Sequence, residues 1–375
     1  MNMKCENSGN ELISNMNVKT GLPIWTIAVP VVAWLLYFAD SFLGGALFNI
    51  FLAVALIAAV LAAVHHAEVV AHRVGEPYGT LVLAVAVTII EVSLIVSLML
   101  AGGPDTSTLA RDTVFAAVMI ILTGMIGLCL LVGGHLYREQ VFARQGVSAA
   151  LIVLMAITVL TLILPNFTTS IEGPVYNKSQ LIFAAIISLV LYGSFVMMQT
   201  VRHRDYFLPP EAKESEEAHA APPSNKTMAL SLFLLLLCLG VVVLLAKKLS
   251  PVIEAGVVNI GAPKSLVGII VAFTILLPEG VAALRAARSN RLQTSLNLAL
   301  GSALASIGLT IPAVGVVSIF TGLTVTLGID TKSMVLLVLS LFTIMLSFGT
   351  GRTNVLQGIV LLVIFAVYLF TTIVP

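Results

Sequence analysis

Long apolar runs separated by short polar connections make up most of the chain. Eleven can be read, near 22–38, 42–64, 78–100, 113–133, 147–165, 180–198, 228–246, 264–284, 296–318, 333–348 and 354–373. Their lengths approach the roughly 20 residues that an α-helix needs to cross hydrocarbon. Lipid cannot satisfy an open backbone, and the period-two alternation of a barrel strand is missing, so each run predicts a transmembrane helix. The expected fold class is an all-α polytopic membrane protein with about 11 transmembrane helices.

Composition agrees with the pattern. Of 375 residues, 59% are hydrophobic and only 10% are charged. A soluble domain carries roughly 25% charged residues, so this chain could not cover a water-facing surface. Mean hydropathy is +1.07. The net charge of +1 gives no basic field for nucleic acid. Cys5 sits in a polar stretch, and Cys129 and Cys238 lie inside apolar runs. That usage suggests neither a disulfide framework nor a thiolate metal site. Residues 1–21 lack the short apolar core and cleavage site of a signal peptide and read as a polar tail.

Lys and Arg set the orientation. An N-terminus in the cytoplasm places thirteen of them inside and six outside, which favours N-in and C-out. The long polar stretch at 199–227 contains Glu211, Glu214, Glu216 and Glu217 among Ala, Pro, Ser and Lys. It cannot bury a core and is expected to be a disordered cytoplasmic linker. The implied organisation is a tail at 1–21, an accessory transmembrane helix at 22–38, a first repeat at 39–198, the linker at 199–227 and a second repeat at 228–375.

The two halves are related by an offset. Glu91 in the third run and Glu279 in the eighth are 188 positions apart, and the same offset maps Ala84 onto Ala272, Ala117 onto Ala305 and Gly134 onto Gly322. The third run leads outward and the eighth inward, so the five-helix repeats are inverted. Secondary transporters commonly use this architecture, with the ion site at the midplane between repeats.

Among all the acidic residues, only Glu91 and Glu279 sit well inside apolar runs. A charge at the centre of a lipid-facing helix costs at least about 2.5 kcal/mol. A buried carboxylate therefore requires a companion, either a proton or a cation. Two glutamates neutralise one Ca²⁺ or two protons, and this mutual exclusion couples the two fluxes. Glu91 and Glu279 are accordingly the expected cation- and proton-binding residues and the ligands of any bound metal ion. The alternative is two protonated, hydrogen-bonded groups that serve helix packing.

Neighbouring residues supply further oxygens. Thr88 lies one turn before Glu91. Pro278 precedes Glu279, removes a backbone donor and is an expected helix break that frees a carbonyl near 274. Ser302 and Ser306 lie one turn apart in the ninth run, as ligands or as packing residues. Before the third run, His65, Glu68 and His72 share a helical face, with His66, Arg73 and Glu76 nearby. That face could bind a transition metal or respond to pH, although a hydrated helix end explains it more simply. Glu68, His72, Glu76 and Ser306 are candidate pathway residues. Gly349-Thr350-Gly351-Arg352-Thr353-Asn354 lacks the spacing of a phosphate loop.

These residues resemble the calcium/proton exchangers of the cation/Ca²⁺ exchanger superfamily, and most closely the bacterial ChaA-type calcium (sodium, potassium)/proton antiporters. The resemblance is carried by the stretch His66-Ala67-Glu68-Val69-Val70-Ala71-His72-Arg73-Val74-Gly75-Glu76-Pro77-Tyr78-Gly79. It continues in Glu91-Val92-Ser93-Leu94-Ile95, Pro278-Glu279-Gly280, Gly301-Ser302 and Thr350-Gly351-Arg352-Thr353-Asn354-Val355-Leu356. It implies one accessory helix and two inverted five-helix repeats, with the motif glutamates at Glu91 and Glu279 and the Gly-Ser motif at Gly301 and Ser302. The family's preceding asparagines are replaced here by Thr88 and Leu276, which leaves room for Na⁺ or K⁺. In the first repeat, Thr113 and Val114 stand at the Gly-Ser position.

The resulting expectation is a non-enzymatic antiporter without a cofactor, exchanging cytoplasmic cations for protons by alternating access. Ca²⁺ is the first choice of cargo, with Na⁺ and K⁺ beside it. Partners are the ions and the lipid bilayer, with a homo-oligomer allowed, in the inner (plasma) membrane of a bacterium. The competing class is a cation channel, or a cation carrier not coupled to protons. A channel calls for charged rings or a carbonyl filter, which the sequence does not display.

Overall fold

The computed structural model describes residues 22–43, 45–75, 78–102, 106–208, 223–259, 261, 263 and 265–374. Each expected apolar run is matched by one helical segment. These are α1 (Ile24–Leu43), α2 (Ala46–Val74), α3 (Tyr78–Gly102), α4 (Leu109–Tyr137), α5 (Arg144–Phe167) and α6 (Lys178–Arg202). After the linker come α7 (Asn225–Asn259), α8 (Ser265–Arg288), α9 (Leu292–Thr321), α10 (Thr331–Phe348) and α11 (Val355–Ile373). Among the described residues, nine helices are long and apolar enough to cross a membrane, and Ile24–Asp40 and Val85–Leu100 are shorter apolar stretches. The protein is a multi-pass membrane protein.

The described residues divide into two compact units. One is drawn from 1–90 and 218–252, the other from 91–217 and 253–375. α3 contributes to both, with Ile90 the last residue in the first unit and Glu91 the first in the second.

In the first unit, the accessory helix α1 packs on α2. Buried polar groups fix the contact: His66 Nε2 donates to the Thr26 carbonyl at 2.9 Å, and the Trp25 ring lies against His65. Trp34 Nε1 donates to the Leu237 carbonyl of α7 at 3.1 Å. Lys248 of α7 pairs with Asp40 of α1, and Arg73 of α2 donates to Asn225. α2 extends ten residues past the expected boundary of its apolar run, so the His65–Arg73 stretch forms its helical end.

The second unit has a reciprocal construction. After α4, strand β1 (Glu139–Val141) pairs antiparallel with β2 (Arg352–Asn354), which leads into α11, and Gln140 lies opposite Thr353. After α9, Thr326 bridges Val175, which leads into α6. The end of one repeat's third helix thus meets the start of the other repeat's last helix, twice, at opposite ends of the unit. On one side Gln140 Nε2 also donates to the Ala287 carbonyl and to Asn290. On the other, Arg111 donates to the Gly328 carbonyl and the Ile329 amide donates to the Leu162 carbonyl. These contacts require α4 and α9 to run in opposite directions, as inverted repeats do.

Glycines make the corresponding helix contacts close. A Cβ on Gly127 of α4 would meet Leu361 and Leu362 of α11 at 3.1 Å, and one on Gly315 of α9 would meet Leu181 of α6 at 3.5 Å. Gly127 and Gly315 are themselves 188 apart. Small residues let membrane helices approach where no hydrophobic effect drives them together. α4 and α5 each contain a widened π turn, at Ile120–Met125 and Val159–Ile163.

The linker begins later than expected. Residues 199–206 continue α6 through a π turn and a short 3₁₀ turn, Arg204–Tyr206. Phe207 is buried against Phe195. This apolar anchor within the polar stretch holds the segment in place. The four linker glutamates lie outside the described residues.

Candidate functional site

Glu91 begins the second unit's share of α3 and is only 2% exposed. Its Oε2 accepts a hydrogen bond from Ser306 Oγ of α9 at 2.8 Å. Its Oε1 is buried with no hydrogen-bond partner. Thr310, one turn further along α9, is fully buried. It lies on the same helical face as Ser306. The Glu91 carboxyl thus sits among apolar neighbours with one oxygen bonded to Ser306 and the other without a donor.

Ser306, read from the sequence as a candidate pathway residue, is thus bonded directly to Glu91. Ser302, one turn earlier, is half-buried, and a Cβ built on the adjacent Gly301 would meet nothing within 4 Å. There is open space beside the Gly-Ser motif. Both arrangements follow from one helical face, because positions 302, 306 and 310 are four apart.

Glu279 is half-buried on α8. α8 runs on unbroken through Pro278, so the expected helix break is only a missing rung: the proline lacks the donor that would serve the Thr274 carbonyl. Next to Glu279, a Cβ on Gly280 would lie 3.5 Å from the end of Met125, in the π turn of α4. Near the start of the same two helices, Gly268 brings α8 against the backbone of Asp112 and Thr113 at 3.0 Å. Thr113 is fully buried with an unpartnered hydroxyl.

The two halves are not chemically equal. Under the repeat offset, Ser306 and Thr310 correspond to Val118 and Leu122 of α4, both fully buried. The hydroxyls are on α9 and their counterparts on α4 are hydrocarbon.

Several candidates lie in the first unit. Thr88 is buried and Glu68 and His72 are exposed. Glu76 lies outside the described residues. His66 serves the α1 contact. Among the described residues, no group of three or more His, Cys, Asp or Glu could hold a metal ion.

Sequence reading did not find Thr310, nor a polar chain at one end of α9. There the Ala143 amide donates to Gln293 Oε1 at 2.6 Å, Gln293 Nε2 donates to Asn297 at 2.9 Å, and Asn297 Nδ2 donates to the Phe207 carbonyl at 2.6 Å. The signal for Thr310 was its spacing of four from Ser306. The chain has no local signal, since its partners come from distant segments.

The sequence matches the family model described as sodium/calcium exchanger protein, over residues 43–201 and 230–374. It is 49% identical over 320 residues to y4hA of Sinorhizobium fredii, provisionally named an ionic transporter, covering 85% of this chain and 87% of that one. It is 35% identical over 325 residues to the sodium-potassium/proton antiporter ChaA of Escherichia coli, covering 86% and 88%. Among solved structures, native YfkE superposes with a TM-score of 0.70 at 19% identity, over 93% of this chain and 100% of that one. The H⁺/Ca²⁺ exchanger CAX gives 0.67 at 16% identity, over 92% and 87%. At those identities the structures establish a shared fold.

Proposed function

This chain belongs to the sodium/calcium exchanger protein family, and from that premise we propose that it exchanges cytoplasmic Ca²⁺, Na⁺ or K⁺ for protons by alternating access. The family comprises secondary transporters, not enzymes, and its ions are cargo rather than cofactors. The observation that carries the reading is Glu91: a carboxyl group 2% exposed in a membrane helix, with one oxygen bonded to Ser306 and the other without a partner. Such a group requires a proton or a cation. Glu279, at the related position on α8, is the second carrier. The two are alternately protonated and cation-bound as the repeats shift around the midplane.

Cargo identity rests on two supports of different weight. The relative at 35% identity is named for sodium, potassium and protons. Ca²⁺ keeps its place because two glutamates match its charge. Thr88 and Ser302 are proposed as accessory ligands, and Glu68, His72 and Glu76 as pathway residues. The repeats are assigned to 39–198 and 228–375, joined by the cytoplasmic linker. The protein is placed in the inner membrane of a bacterium, with the N-terminus in the cytoplasm.

The test is cation-induced proton efflux from inverted membrane vesicles, comparing Ca²⁺, Na⁺, K⁺ and Mg²⁺ for wild type and Glu279→Gln. Efflux in wild type that Glu279→Gln abolishes supports the reading. A wild type that answers no cation refutes it.

A further inference from the structure

The charge of the second unit is gathered at one end. Eight of the chain's ten arginines lie where β1 pairs with β2: Arg138 and Arg144 around β1, Arg352 in β2, Arg285, Arg288 and Arg291 at the α8–α9 turn, and two more after α6. All eight are exposed, and they face only two described acids, Glu139 and Asp205. The opposite end is balanced, with Arg111, Lys178 and Lys332 against Asp112, Glu172 and Asp330. The positive-inside bias counts Lys and Arg alike. It explains the sign of the arginine-rich end but not the choice of arginine, since no lysine is described there.

One corner of this end is built on an unusual backbone. Among the described residues, Arg138 and Asn290 are the two non-glycine residues with positive φ, 65° and 57°. Asparagine tolerates that region and arginine seldom enters it, so the conformation persists only where the surroundings impose it. Here they are side-chain bonds on both flanks of Arg138. Tyr137 Oη donates to the Arg288 carbonyl at 2.8 Å. Gln140 Nε2 donates to the Ala287 carbonyl at 3.1 Å and to Asn290 Oδ1 at 3.0 Å. Arg138 is thereby fixed beside the turn that carries Arg288 and Arg291, and Arg285 lies one turn earlier on the same face of α8. Among the described residues, no acid pairs with any of these four. Leu136, Tyr137 and Val141, on either side of Arg138, are exposed apolar or aromatic side chains. The arginines therefore stand at the level where the bilayer's headgroups begin.

We propose that Arg138, Arg285, Arg288 and Arg291 form a docking surface for the phosphate of an anionic phospholipid headgroup. The guanidinium fork matches phosphate with two parallel hydrogen bonds, which a lysine ammonium cannot do. The Lys and Arg bias assigns this end to the cytoplasm, where anionic lipids give the leaflet its negative potential. Four guanidinium groups without acidic partners gain an attraction there that zwitterionic lipid does not supply. A lipid held at this corner bridges the end of α4 to the α8–α9 turn. The inference does not depend on which cation the protein carries.

The experiment follows thermal unfolding of the full chain in phosphatidylcholine nanodiscs as phosphatidylglycerol replaces part of the phosphatidylcholine. The rise in melting temperature with anionic lipid gives an apparent affinity. Wild type is compared with the combined Arg138→Gln, Arg288→Gln and Arg291→Gln variant, with the same three positions changed to lysine, and with Lys178→Gln at the opposite end. Wild type and Lys178→Gln should both be stabilised. The glutamine set should lose affinity by about fivefold for each arginine removed, and the lysine set should lose part of it. The lysine set keeps the loop charge and hence the orientation, so it carries the comparison if the glutamine set fails to insert. A wild type stabilised no more by phosphatidylglycerol than by phosphatidylcholine overturns the proposal. So does a glutamine or lysine set as responsive as wild type, or a loss in Lys178→Gln as large as in the glutamine set. Inorganic phosphate that raises the wild-type melting temperature as much as the lipid would reveal a free-anion site and overturn it too.

Discussion

Ser306 on α9 donates its hydroxyl to Oε2 of Glu91 on α3 at 2.8 Å, across 215 positions of sequence. The bond ties the first repeat's acid to the second repeat's Gly-Ser helix. An amide can accept the same bond but cannot exchange a proton for a cation. Glu91→Gln is therefore expected to fold, with a detergent melting temperature within a few degrees of wild type, and to lose exchange to background with every cation. Exchange at half the wild-type rate or more would remove Glu91 from the mechanism.

Serines 302 and 306 separate by environment. Ser306 is 4% exposed and bonded to Glu91, while Ser302 is half-buried beside open space. Removing the Ser306 hydroxyl leaves a buried carboxyl oxygen unsatisfied, at a cost of about 1–3 kcal/mol. Ser306→Ala should thus raise the KM for Na⁺ by roughly five- to tenfold and lower the melting temperature. Ser302→Ala should raise the KM for Na⁺ by a smaller factor and leave the melting temperature within a degree or two of wild type. The reverse ranking in a transport titration would place the cation one turn toward the open end of α9.

What the sequence disclosed depended on whether a feature was local. The eleven helices were legible because hydrocarbon imposes one length and one polarity on every span. Glu91 and Glu279 were legible because an acid inside such a span is rare. Ser306 stood out only as a hydroxyl one turn from Ser302, and nothing in the sequence showed which serine would meet Glu91. That depends on the axial registry of α3 and α9. Gln140 was invisible for a stronger reason. It reads as a polar residue in a short connection, yet it is 2% exposed and binds Ala287 and Asn290. The same holds for Phe207, whose burial shortens the linker that composition alone drew from 199.

Glycine makes the contact between α4 and α11 close. A Cβ on Gly358 would stand 2.5 Å from the Leu131 amide nitrogen and 2.9 Å from the Gly127 carbonyl oxygen. Both are backbone atoms and cannot rotate away. Gly358→Ala should force the helices apart and destabilise the protein by about 1–3 kcal/mol, seen as a lower melting temperature. Gly193→Ala is the control, since a Cβ there meets nothing within 4 Å; on a membrane helix it should be neutral or mildly stabilising. Equal effects would show that α4 and α11 are not packed in this register.

Orientation yields a prediction that needs no transport assay. The connection at 168–177 and that at 322–330 meet through Val175 and Thr326, so they share one side of the membrane. The connections at 138–143 and 349–354 meet through β1 and β2 and share the other. The Lys and Arg bias assigns the first pair to the outside. Cys129 and Cys238 are buried, so a Cys5→Ser background should label weakly. In that background, Glu172→Cys and Thr324→Cys should react with a membrane-impermeant maleimide in intact cells. Glu139→Cys and Thr350→Cys should react only after the membrane is opened. The inverse pattern would reverse the orientation and keep the fold. Reaction of Glu172→Cys and Thr324→Cys from opposite faces would break the reciprocal pairing and, with it, the inverted-repeat architecture.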